Sequence, residues 1–258
     1  ARTERILLGT SIMQIWSRQP VAAAQQVQVI ASLAPKRLRL GVGLGHRHAM
    51  ETTFGADFRH LLGHLAEYVR ILKGLLQQGE IDLDGQYYRA HSRIPAPIDV
   101  PVMASALRSG AFELCGAEAD GAISWVCPHQ YLRDVAMPAL RSGAERAGRS
   151  VPPLIVHAPV CVNEDIGAVR TGVREQLGYF PTTPFYARMF AAAGFPGSLE
   201  SGWTDEMLDA VSISGDEAAV AERLEQLLSS GASEVLATVI TVGDDREAAA
   251  ERTMRLLA

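Results

Sequence analysis

His46 and His48 flank Arg47 directly after a glycine-rich turn, Gly41-Val42-Gly43-Leu44-Gly45. Imidazole changes charge near neutrality, so both side chains suit hydrogen bonding or proton transfer at a cleft, and equally a solvated loop. An H-x-H pair lacks the third ligand a metal needs, and no metal is expected. The turn is not a dinucleotide motif, because G-x-G-x-x-G requires glycine where His46 stands, and no Gly-Lys-Ser/Thr follows for a P-loop. It is either a tight strand exit or a place where backbone approaches a planar ligand closely. A second turn, Ser105-Ala106-Leu107-Arg108-Ser109-Gly110, leaves a strand and opens a helix. Helix amides beside an arginine make an anion site, and the same residues make a capped surface turn. Trp16 and Trp125 stand at strand ends, where a tryptophan either stacks on a ring or fills the core. His157 lies inside an apolar strand, as a core histidine does, and would meet a ligand if it faced a barrel lumen. No G-x-S-x-G or H-E-x-x-H motif occurs, and Cys115, Cys127 and Cys161 have no activating neighbours in sequence.

The elements that must position these groups alternate. Apolar runs at 6–12, 38–43, 101–105, 121–125, 154–162 and 235–240 predict six core strands. Between them, 20–33, 57–78, 110–119, 132–147 and 216–228 predict helices, with Pro20 opening the first and Ser214 and Glu217 as a capping box for the last. Glu80 to Tyr88 predicts a hairpin turning at Asp84-Gly85. Strands apolar throughout and joined by helices predict parallel pairing with both faces covered, in one α/β domain over residues 1–258. Its irregular stretch, 163–215, predicts an insertion suited to a substrate lid or a dimer contact, with aromatic residues Phe180, Phe185, Tyr186 and Trp203.

Composition narrows the function. The chain has 258 residues, 24 Lys+Arg against 29 Asp+Glu and a net charge of −5, with the basic residues scattered, which excludes nucleic acid as the main partner. Three distant cysteines exclude a disulfide-stapled secreted fold and favour the cytoplasm. No apolar run approaches a membrane span of roughly 18 residues, and residues 1–4 lead into a strand without a signal peptide.

Taken in order, the segments 3–12, 21–33, 37–43, Gly85-Gln86-Tyr87-Tyr88, 101–107, 119–121, 159–162, 214–224 and 231–235 resemble the luciferase-like monooxygenase superfamily, in particular its branch dependent on the deazaflavin coenzyme F420. The resemblance implies a TIM (β/α)8 barrel of the bacterial luciferase type, an α/β fold, with a homodimer as the usual assembly. Residues 3–12 align with the third barrel strand, so the first two βα units are expected to lie outside this chain. The third strand is expected to be bulged, with a non-prolyl cis peptide at Ser11-Ile12. Cofactor contacts are expected at Thr10, Ser11 and Ile12, at Gly43, Leu44 and Gly45 with His46, and at Ala106, Leu107, Arg108 and Ser109. Relatives often carry Gly-Pro where this chain has Arg108-Ser109. His46 or His48 is the expected proton donor. The implied activity is hydride transfer between C5 of coenzyme F420 and a small organic substrate. An FMN-dependent monooxygenase is the alternative, and a non-catalytic flavin-binding or dimeric barrel is the reading from another class.

Overall fold

The computed structural model describes residues 3–258, so the alanine and arginine that open the sequence lie outside the described residues. The chain divides into two compact units. The first holds the chain up to Ala106 together with Gly110–Ile123 and Ala139–Pro152; the second holds Leu107–Ser109, Ser124–Pro138 and Pro153–Ala258.

In the first unit, strands β1 (Leu8–Gly9) and β2 (Met13–Gln14) both run parallel to β3 (Leu38–Gly43). β4 (Glu80–Asp84) and β5 (Arg89–Arg93) form a separate antiparallel ribbon. β3 pairs in parallel with β6 (Val102–Ser105), and β6 pairs with the start of β7 (Gly121–Trp125). The helix Pro20–Leu33 begins as the sequence predicts, with Pro20 in its first turn and the Gln19 side chain accepting the amides of Val21 and Ala22. The helix Leu61–Lys73 continues as a wider turn through Gln78 and buries Leu65, Tyr68, Val69, Leu72, Leu75 and Leu76. Those are the positions spaced by three and four in the sequence, and full burial of each such side chain is worth about 1.5–3 kcal/mol.

In the second unit, β8 (Leu154–Val162) pairs in parallel with β9 (Ile213–Gly215) and with β10 (Glu234–Val239). Helices Ile166–Leu177, Pro184–Ala192, Ser198–Ser201 and Asp205–Val211 occupy the stretch between β8 and β9.

Four local expectations are corrected. Residues 6–12 do not form one buried strand: Ile6, Leu7 and Leu8 are 58%, 52% and 43% exposed, because β3 is the one neighbour of β1 among the described residues. Ser214 does not cap the helix Glu217–Ser229; it lies in β9, a strand missed because three residues are too few to show a period, and Asp216 caps instead through Ala219 N at 2.8 Å. The ribbon does not turn on a two-residue Asp84-Gly85 loop. Its second strand starts at Arg89, because the buried carboxylate of Glu67 accepts the amides of Gln86, Tyr87 and Tyr88 at 2.8–2.9 Å and holds Gly85–Tyr88 as a loop. A short helix, Arg47–Phe54, follows the glycine turn where none is predicted.

Candidate functional site

The first unit concentrates polar and aromatic groups where β2 and β3 end. Between β1 and β2 the ladder slips. Leu8 and Gly9 face Leu38 and Arg39, whereas Met13 and Gln14 face Val42 and Gly43. Thr10, Ser11 and Ile12 therefore stand opposite Leu40 and Gly41, a bulge of one residue. The peptide bond between Ser11 and Ile12 is cis. Thr10 spans the slip with its side chain: the hydroxyl donates to Gly41 O at 2.7 Å and accepts from Gly41 N at 3.0 Å.

The bulge explains the glycines of β3. A Cβ on Gly41 would stand 2.1 Å from Thr10 O, and one on Gly43 would stand 2.2 Å from Ser105 Oγ and 2.9 Å from Ile12 Cδ1. Side chain and backbone of this unit fill both spaces, so these two glycines serve close strand packing. Gly45 differs: its φ of 66° is left-handed and turns the chain out of β3. Leu44 beside it is fixed by Trp16, whose Nε1 donates to Leu44 O at 2.7 Å.

Trp16 also packs on Phe58 and His64, with ring centroids 5.2 and 4.9 Å away, and His64 packs on Tyr87 at 4.1 Å. Tyr87 is delivered by the loop that Glu67 holds. The motif Gly85–Tyr88 and the glycine turn thus meet in one aromatic wall. Sequence reasoning flagged Trp16 but missed Phe58 and His64, which read only as members of an amphipathic stretch. Burial lowers the pKa of His64.

The two histidines after the turn have different surroundings. His46 is half-buried at the N-cap of Arg47–Phe54, and burial lowers its pKa, so at neutral pH it is an uncharged imidazole. His48 is exposed in the first turn of the same helix. Ala106 is buried and its amide bonds Ile123 O at 2.9 Å, within the first unit.

In the second unit, Leu107 O accepts from Tyr131 Oη at 3.2 Å, and Arg108 and Ser109 are exposed. Ser109 is the first residue of the ten-residue helix Ser109–Glu118, and Arg108 immediately precedes it. Trp125, His157 and Phe180 form a further cluster. The Trp125 ring lies 4.1 Å from His157 and 5.9 Å from Phe180, and Phe180 packs on Tyr179 and Tyr186 at 4.4 and 4.9 Å. His157 Nε2 and Thr238 Oγ1 are 2.7 Å apart, and burial pushes the pKa of His157 down to about 4. Burial raises the Cys115 and Cys127 thiols to about 12, which keeps both protonated and unreactive.

Parallel strands joined by helices, with polar and aromatic groups at the strand ends, are the construction of the α/β barrel class. A family model described as luciferase-like monooxygenase matches residues 1–234. An uncharacterised protein of Mycobacterium tuberculosis is 28% identical across 75% of this chain and 62% of its own length. The F420-dependent glucose-6-phosphate dehydrogenase of Nakamurella multipartita is 34% identical across 60% of this chain and 48% of its own length. Among solved structures, an F420-dependent secondary alcohol dehydrogenase in complex with an F420–acetone adduct superposes with a TM-score of 0.81 at 15% identity, covering 99% of this chain and 79% of that one. The chain thus spans less than two thirds of the length of the curated relatives it matches. It belongs to the luciferase-like monooxygenase family. Its fold is the α/β fold of the luciferase-like TIM barrels.

Proposed function

We propose that the chain belongs to an oxidoreductase that uses coenzyme F420 to move a hydride to or from a small organic substrate. The carrying observation is the 34% identity to an F420-dependent dehydrogenase across 60% of the chain. The residues present fit a planar ring in the first unit: an exposed Ser11, a half-buried apolar Ile12 and a half-buried loop, Leu44-Gly45, whose Leu44 carbonyl Trp16 holds. In this reading Thr10 braces the bulge, Ser11, Ile12, Leu44 and Gly45 hold the ring, and Gly43 contributes backbone only. Ala106 shapes the strand exit. Leu107, Arg108 and Ser109 offer amides, a guanidinium and a hydroxyl to an anionic group. The bound deazaflavin supplies hydride chemistry at C5. The protein's part is to orient the partners, exclude water and move a proton, and His46, uncharged at neutral pH, is the proposed proton carrier, with His48 second. A homodimer and a single domain with an insertion at 163–215 complete the proposal.

Titrating the protein with coenzyme F420 and with FMN, and following fluorescence, tests it. The expected result is saturable quenching of F420 with FMN at least about tenfold weaker, a difference of about 1.4 kcal/mol. Tight FMN binding without F420 binding overturns the reading. It would favour the second one, an FMN-dependent monooxygenase, which the family's own description supports.

A further inference from the structure

β8 is buried along its length except at one residue. Of its nine positions His157 alone is half-buried. Alternation along the strands places it on the face of β10 that carries Leu236 and Thr238. His157 stands opposite Leu236 and Pro159 opposite Thr238, so His157, Leu236 and Thr238 share one face of the β8–β10 pair. Among the described residues Leu236 is 39% exposed and Thr238 is half-buried. Trp125, also half-buried, lies against the imidazole.

A second observation marks the same place. Val126, the residue after Trp125, has φ 53° and is fully buried. A β-branched side chain in the left-handed region is a true outlier, and such outliers persist where the surroundings hold them, most often at ligand sites. Val126 directly follows Trp125, the last residue of β7, so the outlier adjoins the indole that packs on His157.

We propose that Trp125 and His157 form a specificity wall that takes the uncharged, planar or apolar part of the substrate, stacked on the indole with the Thr238-held imidazole at its edge. The wall carries no formal charge at neutral pH, because burial holds His157 as the neutral base. Glu234 lies on the same face of β10, opposite Ile155. Phe180 gives the wall an aromatic flank through its edge contact with Trp125. The substrate role rests on the oxidoreductase reading above; the binding surface itself does not.

The test uses two probes of one shape, 2-naphthol and naphthalene-2-sulfonate, titrated into the protein by ligand-observed NMR. 2-Naphthol is expected to bind and the sulfonate to bind at least about tenfold more weakly. Trp125→Ala should weaken 2-naphthol about tenfold, as loss of a stacking partner with its buried area implies, while Trp125→Phe stays within about threefold. In the unaltered protein, 2-naphthol should shift the His157 ring resonances, assigned with His157→Asn. That readout holds even where Trp125→Ala fails to fold. Equal affinity for both probes, unchanged affinity in a folded Trp125→Ala, or unmoved His157 resonances overturns the wall. Coenzyme F420 titrated into the same samples separates the readings: probe binding without F420 binding leaves the wall and removes the oxidoreductase proposal, and F420 binding without probe binding does the reverse.

Discussion

At the residue scale, three positions show how much a single residue can carry. Gly41 has no room for a methyl group, since backbone oxygen would lie 2.1 Å from it and Ile123 Cδ1 2.8 Å. Gly41→Ala is expected to destabilise the protein by about 1–3 kcal/mol or more, because backbone on one side cannot yield, and a urea midpoint unchanged from the parent would contradict that. Glu67 is 9% exposed. Burial by itself would raise its pKa, and three backbone amides outweigh burial and bring it below the ordinary value. Glu67→Gln leaves one of those amides facing an NH2 group, so a loss of about 1–3 kcal/mol is expected. Amide exchange at Gln86–Tyr88 should quicken first, and uniform exchange across the first unit would show that the loop is held otherwise. His46 belongs to function. With coenzyme F420 and a substrate, His46→Ala should lower kcat by about 100-fold or more while stability moves by less than about 1 kcal/mol. An unchanged kcat retires its role as proton carrier.

At the element scale, the sequence disclosed what has a period and hid what does not. The helices at 20–33 and 61–78 and the strands at 38–43, 121–125 and 154–162 were legible because each runs long enough for burial to repeat. β9 was not, being three residues long. The bulge was not legible from periodicity at all, since Arg5 to Ile12 reads as one apolar run; the family resemblance supplied it. Site residues divide the same way. The glycine turn and His46 announce themselves in the sequence, whereas His64 and Tyr87 reach Trp16 only through folding of a distant helix and loop. The helix Pro20–Leu33 carries an outward apolar row, Val29, Ile30 and Leu33, that are 61%, 45% and 77% exposed. Replacing Val29 and Leu33 together by Lys should cost less than about 0.5 kcal/mol per site and raise solubility, because neither side chain is packed. A large drop in melting temperature would show that the row is covered in solution.

At the scale of the whole molecule, acid should be the weak side of its stability. His129 and His157 are both pushed down to about 4 by burial, with the Arg223 charge adding to His129. An unfolded chain protonates both near 6.5, so between those values the unfolded state binds more protons than the folded one, and stability falls as pH falls. The slope per group is at most about 1.4 kcal/mol per pH unit. Glu67 acts in the same direction further down, its contribution disappearing as pH drops through its lowered pKa. Urea midpoints measured from pH 7 to pH 4.5 should decline, and less steeply in His157→Asn and His129→Gln. A flat profile in the parent would mean that both imidazoles are solvated. The slip between β1 and β2 gives the molecule a different kind of sensitivity, one of length. With three residues spanning what two residues of β3 span, deletion of Ser11 would leave the composition almost untouched and make the ladder more regular. Met13 and Gln14 would keep Val42 and Gly43 as partners, and what disappears is the bulge itself, with the one exposed residue it sets outside the regular ladder. At this point of the fold the count of residues carries information that no single side chain does.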